Sequence, residues 1–239
     1  MRYRTPSSLT TAGCFWYDVL MKYLLAAMLL LVGAAPALAF SPVMTEVNRP
    51  YELVTIGEQV IQTQDYLGEL TGFPVMYEIT SDESFTLQAQ VKQRYQSGLE
   101  PLAFSVIVIK QDARGGGVTE VARLRPESAD WQLLKDPQLG FRLWAGEVLA
   151  TAVEPGTYRI EVSTPENLGK YLLSFGTAET DDGYFKSLAG VRRTQEFFGL
   201  TFFQLLASSL VYYPLGLLLL GVLLQRIWKY RKIVTEYDT

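Results

Sequence analysis

Between Tyr51 and Gly176 apolar and polar residues alternate with a period of two, often enough to exclude a helical bundle. Phe85, Leu87, Ala89 and Val91 alternate with Thr86, Gln88 and Gln90, the pattern of a half-buried strand. Tyr158, Ile160 and Val162 alternate likewise with Thr157, Arg159 and Glu161, and Tyr171, Leu173 and Phe175 with Leu172 and Ser174. The turn formers from Pro165 to Gly169 lie between these two runs and predict a hairpin. Phe104 to Ile109 is apolar apart from Ser105, which predicts a central strand covered on both faces. Val118 to Leu124 is expected to pair with it across the glycine-bearing loop from Asp112 to Gly117. Ser128 to Leu134 reads as a helical turn ahead of Asp136-Pro137, and Phe141 to Val153 as extended structure around an Ala145-Gly146-Glu147 turn. Strands recurring roughly every 8 to 12 residues predict a mainly β protein, an antiparallel jelly-roll-like sandwich of about seven to nine strands.

Two stretches break this rhythm. Met21 and Lys22 precede an apolar run from Leu24 to Val32, and Ala37-Leu38-Ala39 supplies the small residues that signal peptidase accepts at the first and third positions before a cut. Residues 21–39 are therefore expected to be a signal peptide cleaved after Ala39, with 1–20 a dispensable leader or a mis-assigned start. The second stretch, 197–225, is uncharged from Phe197 to Leu224 and longer than the roughly 20 residues a bilayer requires. It predicts a transmembrane helix, kinked at Pro214, whose Tyr212 and Tyr213 hydroxyls call for partners. An alternative span begins near Leu205 and leaves Phe197 to Phe203 as an interfacial belt. Arg226, Lys229, Arg231 and Lys232 follow the span, against Arg192 and Arg193 before it. That excess places the tail, 226–239, in the cytoplasm and residues 40–177 outside, with Trp228 and Tyr230 at the interface. Residues 178–196 are expected to be a stalk, with Phe185, Leu188 and Val191 at helical spacing.

Composition narrows the chemistry. From Phe40 to Glu196 there are 14 Lys and Arg against 22 Asp and Glu, a net of −8, so nucleic acid is excluded as a partner for want of a basic face. The one cysteine, Cys14, precedes the proposed signal, and the chain has no histidine. An ordinary zinc site, a Ser-His-Asp triad and a Cys-His dyad each lack a necessary part, and no cofactor is called for. The three glycines at 115–117 are followed by no Lys-Ser/Thr pair and read as a turn rather than a phosphate cradle. Asp82-Glu83 and Asp181-Asp182 are adjacent acids without EF-hand spacing and read as solvated turns. Tyr158, Tyr171, Trp131 and Trp144 fall at strand positions that favour the core over a sugar- or peptide-binding platform.

Two stretches resemble bacterial pre-peptidase C-terminal domains, small jelly-roll-like sandwiches. One is Glu154-Pro155-Gly156-Thr157-Tyr158-Arg159-Ile160-Glu161-Val162 followed by Gly169-Lys170-Tyr171-Leu172-Leu173-Ser174-Phe175-Gly176. The other is Tyr66-Leu67-Gly68-Glu69-Leu70 with Pro74 to Ile79, similar to that family's opening strands. The layout is also similar to that of lumenal cargo-receptor sandwiches with one membrane helix, without their cysteine pair and coiled-coil neck. The resemblance implies a binding or folding-support role and brings no catalytic residues. The sequence thus reads as a non-enzymatic, single-pass protein of the bacterial inner membrane. Its periplasmic sandwich would bind an envelope protein, glycan or lipid, and its helix would pack beside a membrane co-subunit. The alternatives are a membrane-tethered glycan hydrolase using two carboxylates such as Glu147 and Glu154, and a structural spacer.

Overall fold

The computed structural model describes residues 40–56, 62–112, 116–125, 127, 130–176 and 183–237. Ala37 and Ala39 at the expected cleavage site, and the Asp181-Asp182 pair, lie outside them. One compact unit ends at Ser209, and another contains Leu210–Thr239. Among the described residues of the first are twelve strands: β1 (Val43–Thr45), β2 (Leu53–Thr55), β3 (Gln64–Thr71), β4 (Val75–Ser81), β5 (Phe85–Arg94), β6 (Ser105–Gln111), β7 (Val118–Leu124), β8 (Gln132–Asp136), β9 (Phe141–Ala145), β10 (Leu149–Val153), β11 (Gly156–Ser163) and β12 (Leu168–Phe175). They form two sheets. The seven-stranded one runs β1-β3-β12-β5-β9-β8 with β10 also on β5, and the five-stranded one runs β2-β4-β11-β6-β7. The strands outnumber the expected seven to nine because β1 and β2, three residues each, lack the length to show a period, and β8 overlaps the stretch expected to be a helical turn. These two also add in parallel, β1 to β3 and β2 to β4, so both sheets are mixed.

The period-two runs pack as their pattern predicts. Leu87, Ala89 and Val91 of β5, Tyr158, Ile160 and Val162 of β11, and Tyr171, Leu173 and Phe175 of β12 all enter one core. Tyr66, Tyr77 and Phe175 meet edge-on with ring centroids 5.4–5.8 Å apart, in the favoured aromatic geometry. Gly68 faces Tyr171 across the β3–β12 pair, and a Cβ there would overlap the tyrosine ring, so this strand position requires glycine. β6 and β7 pair as expected. Val106 and Val108 of β6 are buried, whereas its other face, Ile107 and Ile109, is only half-buried.

Three local expectations are corrected. β11 and β12 do not form a hairpin: β11 pairs with β4 and β6, and β12 with β3 and β5, so the Pro165–Gly169 turn carries the chain from one sheet to the other. Ser128–Leu134 is helical only ahead of Trp131, where Asp130 is in 3-10 conformation and its N–H donates to Glu127 O at 3.0 Å; Gln132 already starts β8, an edge strand on β9. Ala145-Gly146-Glu147 does not reverse the chain. β9 and β10 both run antiparallel to β5, and Ala145 to Leu149 spans four steps against three from Lys92 to Ala89, which is a bulge within one broken strand. Gly146 N–H donates to Val91 O at 2.9 Å inside that bulge.

Alternation on β3 and β12 aims Leu67 and Leu172 away from the core, yet both are fully buried. Part of that outer face is roofed by helix α1 (Tyr184–Phe197), within the expected stalk, which buries Ser187, Gly190, Val191, Thr194, Gln195 and Phe197 on one stripe. Gly190 lies where a Cβ would meet the Phe40 carbonyl and the Pro42 ring. Helix α1 ends in a Schellman motif: Gly199 at φ +71° donates to Glu196 O, and Leu200 N–H to Gln195 O. A 3-10 helix, η1 (Phe202–Ala207), follows, and then α2 (Ser209–Tyr237). The uncharged run from Phe197 is therefore divided. Its first two phenylalanines are buried in the sandwich unit, and the stretch long and apolar enough to cross a membrane is Ser209–Trp228.

Candidate functional site: an end cleft and a clamped turn

At one end of the sandwich, the connection from β5 to β6 crosses between the sheets over residues 95–104. Gln93, at the end of β5 on the core-facing side, holds this connection from inside. Its Nε2 donates to Leu102 O and its Oε1 accepts from Leu102 N–H, both at 2.9 Å. The crossing leaves a cleft of about 300 Å³ lined by Gln93, Arg94, Gln96, Leu99, Glu100, Leu102, Trp144, Gly169, Lys170 and Phe198. This is at the small end of the range for ligand pockets. Trp144 stands half-buried in the wall, edge-on to Tyr95 at 5.3 Å, and Leu99 and Leu102 line the rim exposed. Gly169, at φ +129°, forms the floor, where a Cβ would run into Leu102 and Phe104.

The two cations of the cleft are already engaged. Arg94 donates to Phe198 O at 2.7 Å and Lys170 to Phe197 O at 2.9 Å, so they satisfy carbonyls at the C-terminus of α1, where positive charge is favoured. Lys170 also stands over the Phe197 ring and 3.6 Å from Glu69. What remains for a ligand is an aromatic face, two leucines, the Gln96 amide and the Glu100 carboxylate. Among the described lining residues Glu100 is the single acid, so the cleft supplies no carboxylate pair.

A second feature lies at the β8–β9 turn. Its four consecutive carbonyls all accept bonds: Pro137 O from Ser209 N–H at 2.7 Å, Gln138 O from Ser208 Oγ at 2.6 Å and Gly140 O from Gln204 Nε2 at 2.6 Å, in the segment that runs from η1 into α2, and Leu139 O from Gln195 Nε2 of α1 at 2.8 Å. Ser208 and Gln195 are fully buried. Gly140 has φ +75°, and a Cβ there would press on the backbone of Ala207 and Ser208. The turn and the segment above it fit only with glycine at this contact.

The sequence-selected residues disperse. Tyr158 and Tyr171 are core, and Trp131 is buried, whereas Trp144 reaches the cleft. Glu154 pairs with Lys110 at 3.3 Å, Glu147 is exposed, and Asp82-Glu83 form an exposed turn. No group of three or more potential metal ligands occurs among the described residues. Tyr212, Tyr213 and Pro214 fall in the first two turns of α2, the tyrosine rings 4.4 Å apart. Arg226 and Trp228 close the apolar stretch, and Lys229, Arg231 and Lys232 continue the helix. Sequence reasoning missed the cleft because no motif marks the 95–104 connection; a Gln93 on the inward face of β5 was the available clue.

These features define a two-sheet β-sandwich module bearing a docked helix and followed by a helix of membrane-spanning length. No family model matches the chain, and no curated protein does. Among solved structures it is similar to the pre-peptidase C-terminal domain of a collagenase from Bacillus anthracis, at 16% identity and a TM-score of 0.34, over 54% of this chain and 98% of that one.

Proposed function

We propose that this chain is a non-catalytic binding module anchored by a single membrane helix, with the acidic sandwich outside the cytoplasm of a bacterial cell and the basic tail inside. An N-terminal signal peptide would export it, and Ser209–Trp228 would hold it in the inner membrane. The basic residues from Arg226 to Lys232 support that orientation by their excess over Arg192 and Arg193. The cleft at Trp144 carries the binding part of this reading. It is concave, mostly apolar and bordered by a few polar groups whose neighbours are satisfied, as a recognition site requires. A segment of an envelope protein, entering with an apolar side chain against Trp144 and Leu99, fits it best.

The test is capture of the tagged full-length protein from gently solubilised membranes, in parallel with the rim variant Leu99→Asp/Glu100→Arg. A protein recovered with the parent and lost with the variant supports the cleft as its docking site. Equal recovery with both transfers binding elsewhere, and recovery of no protein by the parent overturns the adaptor reading. Protease added to intact spheroplasts should digest the sandwich; protection would reverse the orientation.

A further inference from the structure

Helix η1 presents an unusual surface for a domain in water. Phe203 is 77% exposed, Phe202 62% and Leu206 51%, on consecutive turns of one short segment. The same segment is fixed from beneath, because Gln204 and Ser208 bond the β8–β9 turn and Ala207 lies against Gly140. The exposed side chains are thus held outward by an anchored backbone. Arg192 stacks over the Phe202 ring at 5.6 Å and pairs with Glu196 at 2.6 Å, which sets a charged group at the edge of the patch. Chain continuity identifies the occupant. Leu206 is three residues from Ser209, where the apolar helix begins, so a bilayer that this helix enters at Ser209 has its boundary within about 10 Å of η1. Aromatic side chains concentrate at that depth. An acidic domain gains no electrostatic attraction to anionic lipids, so its adhesion must come from apolar contact.

We infer that Phe202, Phe203 and Leu206 insert into the lipid headgroup boundary on the sandwich side of the membrane, so that the sandwich rests on the bilayer through η1 and does not swing from a stalk. This rests on the membrane anchoring proposed above and deepens it. Gln204 and Ser208 tie η1 to the β8–β9 turn through Gly140 O and Gln138 O, so what holds η1 in lipid also holds the seven-stranded sheet.

The test uses the full-length chain with Cys14→Ser, reconstituted into phosphatidylethanolamine/phosphatidylglycerol vesicles, with nitroxide labels placed singly at Phe203→Cys, Leu206→Cys, Leu215→Cys in the apolar helix and Val118→Cys on edge strand β7. Relaxation by oxygen, which partitions into lipid, is compared with relaxation by a water-soluble nickel chelate. The labels at 203 and 206 should show an oxygen-to-nickel ratio several-fold above that at 118 and below that at 215. If 203 and 206 match 118 while 215 reads lipid, the sandwich stands clear of the bilayer and the inference fails with the anchor intact. If 215 also reads water, the anchor and the inference fall together.

Discussion

Two polar arrangements, one in the core and one half-buried on the outer face of the seven-stranded sheet, carry predictions at the residue scale. Tyr77 and Tyr171 share a hydrogen bond between hydroxyls at 3.0 Å, and Tyr77 also donates to Thr45 Oγ1 at 3.4 Å. Tyr77→Phe strands the Tyr171 hydroxyl in the core and should cost about 1–3 kcal/mol, whereas Tyr77→Phe/Tyr171→Phe removes both hydroxyls and should cost little more than either single change. Urea denaturation of the set decides, and additive losses would mean that the pair is not coupled. Burial pushes Tyr77 up to about 12, from an ordinary 10.0. The folded state therefore holds a proton that the unfolded chain releases above about pH 10, so this contribution to stability is complete below 10 and is lost as pH rises through 12. Asp65 behaves alike in the acid range. Its carboxyl accepts from Ser174 Oγ at 2.5 Å, and Lys92 donates to the same hydroxyl at 3.3 Å. Desolvation nonetheless dominates and raises its pKa from 3.8, despite the lowering effects of Ser174 and Lys92. Stability linked to Asp65 is thus full below pH 3.8 and falls as pH rises through the elevated value. Asp65→Asn keeps an acceptor for Ser174 without a charge to bury, so the variant should melt at or above the parent temperature at pH 7 and lose that advantage near pH 3.

At the element scale, the end of α1 concentrates several weak devices in one place. Gly199 supplies the left-handed residue, and Arg94 and Lys170 take the last carbonyls. Gly199→Ala should cost about 1 kcal/mol and Lys170→Met a similar amount, and both losses should be local. Hydrogen exchange should speed up across residues 184–197 while β5 and β12 stay protected; uniform acceleration would mean that α1 is integral to the sandwich's cooperative unit. The strands behind it were largely legible. The alternation of β5, β11 and β12 reads directly as an inward and an outward face, because one side of each strand meets the core. The connections were less legible, since Pro165 to Gly169 suit a tight reversal within a sheet as well as a step between sheets, and only pairing partners distinguish the two. The end of the Ser128–Leu134 stretch misled for a related reason: edge strand β8 exposes Leu133 and Leu134 alike, so its side chains carry no period. The uncharged run from Phe197 hid its own division, because Phe197 and Phe198 are buried in the sandwich unit while the leucines from Leu215 to Leu224 are exposed, a difference that apolar composition alone does not show. Gly199 and Thr201 were the local marks of the boundary.

At the scale of the whole molecule, the chain joins a β-sandwich unit to a helix long and apolar enough to cross a membrane, Ser209–Trp228. Nineteen of the residues from Ser209 to Trp228 are uncharged, and from Tyr212 onward their large apolar side chains are exposed. The proposed membrane anchoring predicts that this stretch responds to charge as a segment in hydrocarbon does. Leu218→Lys places an ammonium near the middle of the stretch and should disfavour insertion by about 3 kcal/mol, read from the inserted fraction of a glycosylation reporter placed beyond the helix. Val118→Lys, on an exposed edge strand, should leave insertion unchanged. Lysine near the ends should be milder than at 218, because a long side chain at position 211 or 226 reaches the headgroups, and Arg226 already stands there. A flat response along the helix would point to a protein-covered face and not to lipid, whereas a maximum near 218 fixes the hydrocarbon midplane and, with it, the depth at which η1 must lie.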